Sequence, residues 1–147
     1  MKILLLTILA CLLFGAAYAE RPAKGAHLKM DDPTHDFGDV PRKGGDLVHE
    51  FKFVNDGTAP LVIVRVITSC SCLSASFSKR PVAPADSGVI RIVYKPHKSE
   101  PGAFNKVIQV YSNSVDGRDV ITVQGNSIDK PERGKVKIKS EKLKIKN

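Results

Sequence analysis

Residues 46–57 read DLVHEFKFVNDG, and this stretch decides the fold class. From Leu47 to Val54 the side chains alternate. Leu47, His49, Phe51 and Phe53 point one way; Val48, Glu50, Lys52 and Val54 point the other. Successive side chains of an extended chain face opposite sides, so this is a strand with one buried face. Asn55-Asp56-Gly57 then turns the chain, because Asn and Gly tolerate positive φ.

The same pattern recurs outward from there. Pro60–Thr68 (PLVIVRVIT) is apolar on both faces except for Arg65 and predicts a central strand. Leu73–Phe77 predicts a short strand. Arg80–Ser87 is a loop whose two prolines cannot donate to a ladder. Gly88–Tyr94 alternates again, with Ile90, Ile92 and Tyr94 inward. After a loop over Lys95–Gly102 come Phe104–Ser112 and Asp119–Gly125, joined through Asp116-Gly117. In Phe104–Ser112 the register is ambiguous, since Ile108 and Val110 compete with Val107 and Tyr111 for the core. With a short piece near Phe37 this makes seven strands, and His27–Met30 in the lead-in suggests one more short one. No window carries apolar residues at helical spacing over three turns. The pattern predicts an all-β fold, an Ig-like β-sandwich of about seven antiparallel strands over residues 33–128. A closed barrel shares this periodicity. The expected core is Phe51, Phe53, Val62, Val64, Ile90, Ile92, Ile121 and Val123.

The two ends read differently. Residues 1–19, MKILLLTILACLLFGAAYA, hold one cation, an apolar run and small residues at Ala17 and Ala19. That is a secretory signal peptide, expected to be cut after Ala19. The run of about 15 apolar residues is shorter than the ~20 that span a bilayer. A lipobox-like Ile8-Leu9-Ala10-Cys11 offers a second processing site, with a very short signal. Residues 20–32 form a lead-in. At the other end, residues 129–147 carry eight cations against three anions, a net of +5 out of +8 for the chain. Residues 20–128 are nearly neutral, which argues against a specific nucleic-acid-binding face on the fold. The alternating tail makes Lys135, Lys137, Lys139, Lys142, Lys144 and Lys146 candidates for contact with anionic envelope polymers or lipids. A solvated extension and an added edge strand are the other readings.

Export would leave Cys70 and Cys72 as the only cysteines, in an oxidising compartment. On an extended strand they would share a face with Cα atoms about 6.6 Å apart. Disulfides reach about 6.8 Å, so a local bridge lies near the limit. Two thiolates on one face would also suit Cu(I), and plain packing at a strand end is a third reading. Among His27, His35, His49 and His97 there is no pair at ligand spacing. His49 reads as a hydrogen-bonded core-edge residue. His35-Asp36 reads as the start of a strand, with Asp36 bonding its local backbone, rather than as an acid–base pair. No nucleophile elbow, Ser-x-x-Lys or phosphate-binding glycine loop is present.

The landmarks fall in a characteristic order: His35-Asp36-Phe37-Gly38, Gly44-Gly45, His49-Glu50-Phe51, Asn55-Asp56-Gly57, Pro60-Leu61-Val62-Ile63, Ser69-Cys70-Ser71-Cys72, Pro81–Gly88, Pro101-Gly102-Ala103-Phe104, Ser112-Asn113 and Gly125. Over about residues 33–126 this resembles the bacterial domain of unknown function 1573. That family is mostly exported and looks related to Hydin-type (ASH) and major-sperm-protein-like Ig modules. The resemblance implies a seven-stranded Ig-like sandwich without established enzyme activity. Ser71 and Leu73 depart from the family's usual Gly and Thr around the cysteines. Pro84-Ala85-Asp86 departs from its usual Pro-Gly-Glu. Gly is freer in φ than Ser, so position 71 is less permissive here.

These readings together predict an exported, non-enzymatic Ig-like module of the periplasm, cell envelope or extracellular space, without a membrane span after processing and needing no cofactor. Its partner would be a protein or an envelope polymer. The alternative is a Cu(I)-handling or thiol-redox protein built on Cys70 and Cys72. Intact-mass measurement on the protein from its native host should give a chain starting at Glu20. A mass that retains residues 1–19, or an acylated chain starting at Cys11, would overturn the expected processing.

Overall fold

The computed structural model describes residues 24–129. The signal segment over residues 1–19, Cys11 and the lysines of the tail lie outside the described residues. Among the described residues eight strands are formed: β1 (Leu28–Lys29), β2 (Thr34–Pro41), β3 (Leu47–Asn55), β4 (Ile63–Thr68), β5 (Leu73–Phe77), β6 (Ser87–Tyr94), β7 (Gly102–Ser112) and β8 (Arg118–Ile128). One 3-10 turn, Pro96–Lys98, follows β6. The strands make two four-stranded sheets, ordered β1-β3-β6-β5 and β2-β8-β7-β4. Each sheet has two ends, so the fold is a sandwich and not a closed barrel. One pair departs from antiparallel order: β2 runs parallel to β8. Among the described residues no helix is long and apolar enough to cross a membrane.

The alternating strands bury the faces their sequence predicts. Phe51 and Phe53 of β3, Ile90, Ile92 and Tyr94 of β6, and Ile121 and Val123 of β8 are buried. Phe53 pairs across the ladder with Gly88. Its ring occupies the space that a Cβ at Gly88 would need. In β7 the ambiguity resolves in favour of Ile108 and Val110, both fully buried, while Val107 is exposed.

Two expectations fail in the segment 60–68. It is not a central strand, because β4 ends its sheet and pairs with β7 alone. Nor are Val62 and Val64 core residues. Leu61 and Ile63 are buried, Val62 is half-buried and Val64 is 61% exposed. The register slips between Ile63 and Arg65. Such a bulge puts two residues opposite one and inverts the phase beyond it, so that Val66 turns toward the core and Ile67 away from it. The sandwich also begins earlier than residue 33. Ala26 and Leu28 are buried, and β1 pairs with the end of β3.

A polar clasp holds that early segment. Asn55 is fully buried. Its side-chain amide donates to the carbonyls of Ala59 (2.8 Å) and Val82 (2.9 Å). Its side-chain oxygen accepts from the N–H groups of Gly57 (3.1 Å) and His27 (3.3 Å). The imidazole of His27 lies between two carboxylates: Nδ1 meets Asp56, and Nε2 lies 3.1 Å from Asp116. The hydrogen bond to Asp56 raises the His27 pKa, against a smaller opposing effect of burial, and the negative charges of Asp56 and Asp116 add to the rise. Burial and Asp116 raise the pKa of neighbouring Asp119.

Two measurements test this account. In urea unfolding, Phe51→Ala should cost about 3–5 kcal/mol, as a large core truncation does. Val64→Ala should stay within about 0.5 kcal/mol, as exposed positions do. Equal losses would show the inward face of β4 misplaced. The second concerns pH. A raised pKa means the folded state binds the proton more tightly than the unfolded chain does. The contribution of His27 is then complete below the ordinary imidazole value and is lost as pH rises through the raised one. Stability of the natural chain relative to His27→Gln should therefore fall between acid and alkaline pH. Parallel stability profiles for the two proteins would refute the clasp.

Candidate functional site

The chain crosses from one sheet to the other between β4 and β5, and the two cysteines sit in that crossing. Residues 69–72 bend and turn between the two strands, so the extended spacing of about 6.6 Å does not apply to the cysteine pair. Crossing the sandwich requires the backbone to bend. The bend brings the Cα atoms of Cys70 and Cys72 to 5.2 Å, where they are joined by a disulfide. That separation lies well inside the range of ordinary disulfides. The two sulfurs are unequally placed: Cys72 is 2% exposed, whereas Cys70 is half-buried.

The turn has its own backbone support. The Cys70 carbonyl accepts from Leu73 N–H and from the Thr68 hydroxyl, each at 3.3 Å. The Cys72 carbonyl accepts from Lys95 N–H at 2.8 Å. Beside it lies a cleft of about 420 Å³ that both cysteines line. Lys98 from the 3-10 turn and Lys106 from β7 supply two cations to it, Glu100 supplies one anion, and Phe104 a buried apolar wall. The sequence does not announce these partners. They lie far from the cysteines along the chain, and the pairings of β5 with β6 and of β4 with β7 bring them together.

The histidines lie in ring contacts and ion pairs with neighbouring side chains. His35 stacks on His49 with ring centroids 3.5 Å apart, and each ring meets a phenylalanine edge-on, Phe37 and Phe51 respectively. Burial first, then the neighbouring His35, lowers the pKa of His49. Ring contacts, rather than the hydrogen bond expected for it, hold His49 in place. Asp36 bonds its local backbone, as expected. It accepts from Gly38 N–H at 2.7 Å and from the Gln124 amide at 3.0 Å, and those two bonds lower its pKa. His97 makes only an exposed contact with Asp46 at 3.9 Å. Among the described residues no group of three or more His, Cys, Asp and Glu is placed to hold a metal ion.

A second cleft, of about 360 Å³, opens at a bulge in β2, where Phe37 and Gly38 oppose Gly125 alone. Gly38 has φ of 65° there. The Asp36 and Asp39 carboxylates that flank it are already engaged by the amides of Gln124 and Asn126.

Comparison with known proteins places the fold. A protein of unknown function from Porphyromonas gingivalis W83 superposes with a TM-score of 0.63 at 19% identity, over 76% of this chain and 51% of that one. The ASH/PapD-like domain 7 of human CEP192 superposes with a TM-score of 0.53 at 11% identity, over 80% and 99%. The Vibrio cholerae VesB protease does so at 0.54 and 15% identity, but over 69% of this chain and only 31% of that one. The chain thus spans about half the length of the first structure and about a third of the protease. At these identities the likeness shows the fold alone, an Ig-like sandwich. No curated protein matches the sequence. The family described as "Protein of unknown function (DUF1573)" matches residues 28–127, nearly all of the sandwich, and the chain belongs to that family.

Proposed function

We propose that this chain is an exported, non-enzymatic module of the bacterial cell envelope, and that it holds an extended segment of a partner protein along β4. The observation that carries this reading is a mismatch between sequence and position. Ile63–Thr68 has the composition of a central strand, apolar on both faces, yet it lies at a sheet end. Edge strands commonly protect themselves with charges, prolines and bulges. The opposite end of the same sheet follows that rule: β2 carries Asp36, Asp39, Pro41 and a bulge. Beyond its own bulge, the Val66–Thr68 end of β4 carries no charge and no proline.

The sheet face next to β4 supports the same reading. Ile67 lies opposite Gln109, which lies opposite Val120, and Val107 lies on the same face. All three aliphatic side chains are more than two-fifths exposed. The Arg65 guanidinium sits 4.3 Å from the centre of the Tyr111 ring, so it is drawn onto the sheet and away from the strand edge. A partner strand added to β4 would gain main-chain hydrogen bonds from the edge and apolar contact from this strip. The basic tail adds a second, less specific attachment to anionic surfaces, screened beyond about 8 Å at physiological salt.

A photo-crosslinking residue at Val64, in the natural host, should capture one discrete protein. The same probe at Lys52, on the outer face of the other sheet, should not. Adding Ile67→Asp to the Val64 probe should reduce the capture severalfold. Equal capture at the two positions, or none at Val64, would overturn the β4 surface.

A further inference from the structure

We propose that Cys70–Cys72 is a reactive disulfide that accepts two electrons from an anionic thiol or dithiol entering the cleft beside it. This does not depend on what binds β4. Three observations lead to it.

The first is that the bond has little structural work to do. It closes a loop of sequence separation two. The chain entropy a crosslink removes from the unfolded state grows with loop length, so such a loop removes little. The turn keeps its shape by other means, since Leu73, Thr68 and Lys95 already hold the two cysteine carbonyls. Reduction would leave those three hydrogen bonds in place. The fold can therefore carry either redox state of the pair.

The second is the asymmetry of the two sulfurs. Both cysteines line the cleft, and Cys70 is the more exposed of the two, so it is the one an incoming thiolate meets first. Cys72 is nearly enclosed and packs in the core cluster with Leu73 and Tyr94. This difference in exposure favours Cys70 as the sulfur attacked and Cys72 as the one that departs. The third is charge. Lys98 and Lys106 outnumber Glu100 around the cleft, which favours an anionic visitor.

The chemistry balances without a further reactant. The visiting thiolate attacks Cys70 Sγ, an S–S bond forms between them, and the Cys70–Cys72 bond breaks with its electron pair on Cys72 Sγ. That thiolate takes up a proton from solvent. A second thiol of the visitor, or a second visitor molecule, then attacks the visitor's own sulfur in the mixed disulfide and releases Cys70. Two thiols become one disulfide, the protein disulfide becomes two thiols, and two electrons and two protons pass to the protein.

Glutathione, which is anionic, serves as the probe on the full exported chain. Differential alkylation with mass spectrometry should show the pair reduced by glutathione while circular dichroism stays unchanged, and reoxidised when the thiol is removed. The trapped intermediate should carry glutathione on Cys70 and not on Cys72. Replacing Lys98 and Lys106 together by Gln should slow the reaction with glutathione by about tenfold, the lower end of charge steering. The rate with neutral 2-mercaptoethanol should move much less. The proposal fails if the bond is reduced only once the protein unfolds, or if the adduct forms on Cys72. It fails equally if the lysine replacements slow both thiols alike. Native protein isolated with Cu(I) on two free thiols would replace the proposal with metal handling.

Discussion

A single buried amide sets the terms for the rest of this sandwich. Asn55 closes β3, and four hydrogen bonds from its side chain reach the start of the sandwich, the Asn-Asp-Gly turn, the approach to β4 and the loop before β6. A buried polar group left without partners costs about 1–3 kcal/mol, and here one side chain satisfies four backbone groups at once. An apolar residue there would remove this partner from the His27 and Gly57 N–H groups and the Ala59 carbonyl, while the Val82 carbonyl would keep its bond from Leu61 N–H. Gly57 belongs to the same arrangement. A Cβ there would overlap the carbonyl oxygen of Gly25, so only glycine lets the two segments approach. His27, held between Asp56 and Asp116, closes the outside of this pole.

The two poles of the sandwich are therefore built on different physics. At the Asn55 pole the chain segments are tied to one another by hydrogen bonds and ion pairs. At the far pole lie the cysteine turn, the 3-10 turn after β6 and the bulge of β2, and both clefts described above open there. The two sheets join through Phe104, Tyr94 and Phe37, whose rings stack in sequence between them. This aromatic column fills the core beneath the open pole, so the loops above can diverge without exposing it.

The edges divide in a related way. One side of the sandwich presents β2, with its acidic bulge, and β3, whose rim is closed by β1 and by the stacked His35 and His49 rings. The other presents β4 and β5, which leave the cysteine turn in opposite sheets. Apolar side chains on β4 and a disulfide at its end place both candidate surfaces on one flank. A partner seated on β4 and a thiol entering the cysteine cleft would approach from neighbouring directions.

Where side chains alternate strictly, as in Leu47–Val54 and Gly88–Tyr94, the sequence alone determined the strands and their buried faces. A two-residue period leaves one consistent way to bury Phe51, Phe53, Ile90 and Ile92. The landmark glycines, prolines and Asn55 likewise determined the family. Tertiary structure decided what periodicity could not express. Pro60–Thr68 is apolar on both faces, so its pattern carries no phase, and a bulge set by pairing with β7 chose Leu61 and Ile63 over Val62 and Val64. The parallel pairing of β2 with β8 joins the first long strand to the last, a relation no local signal encodes. The cysteine cleft was hidden for the same reason. Cys70 and Cys72 are two residues apart in sequence, but the lysines and phenylalanine around them arrive from a strand and a turn about thirty residues on, and only sheet formation puts them on one wall.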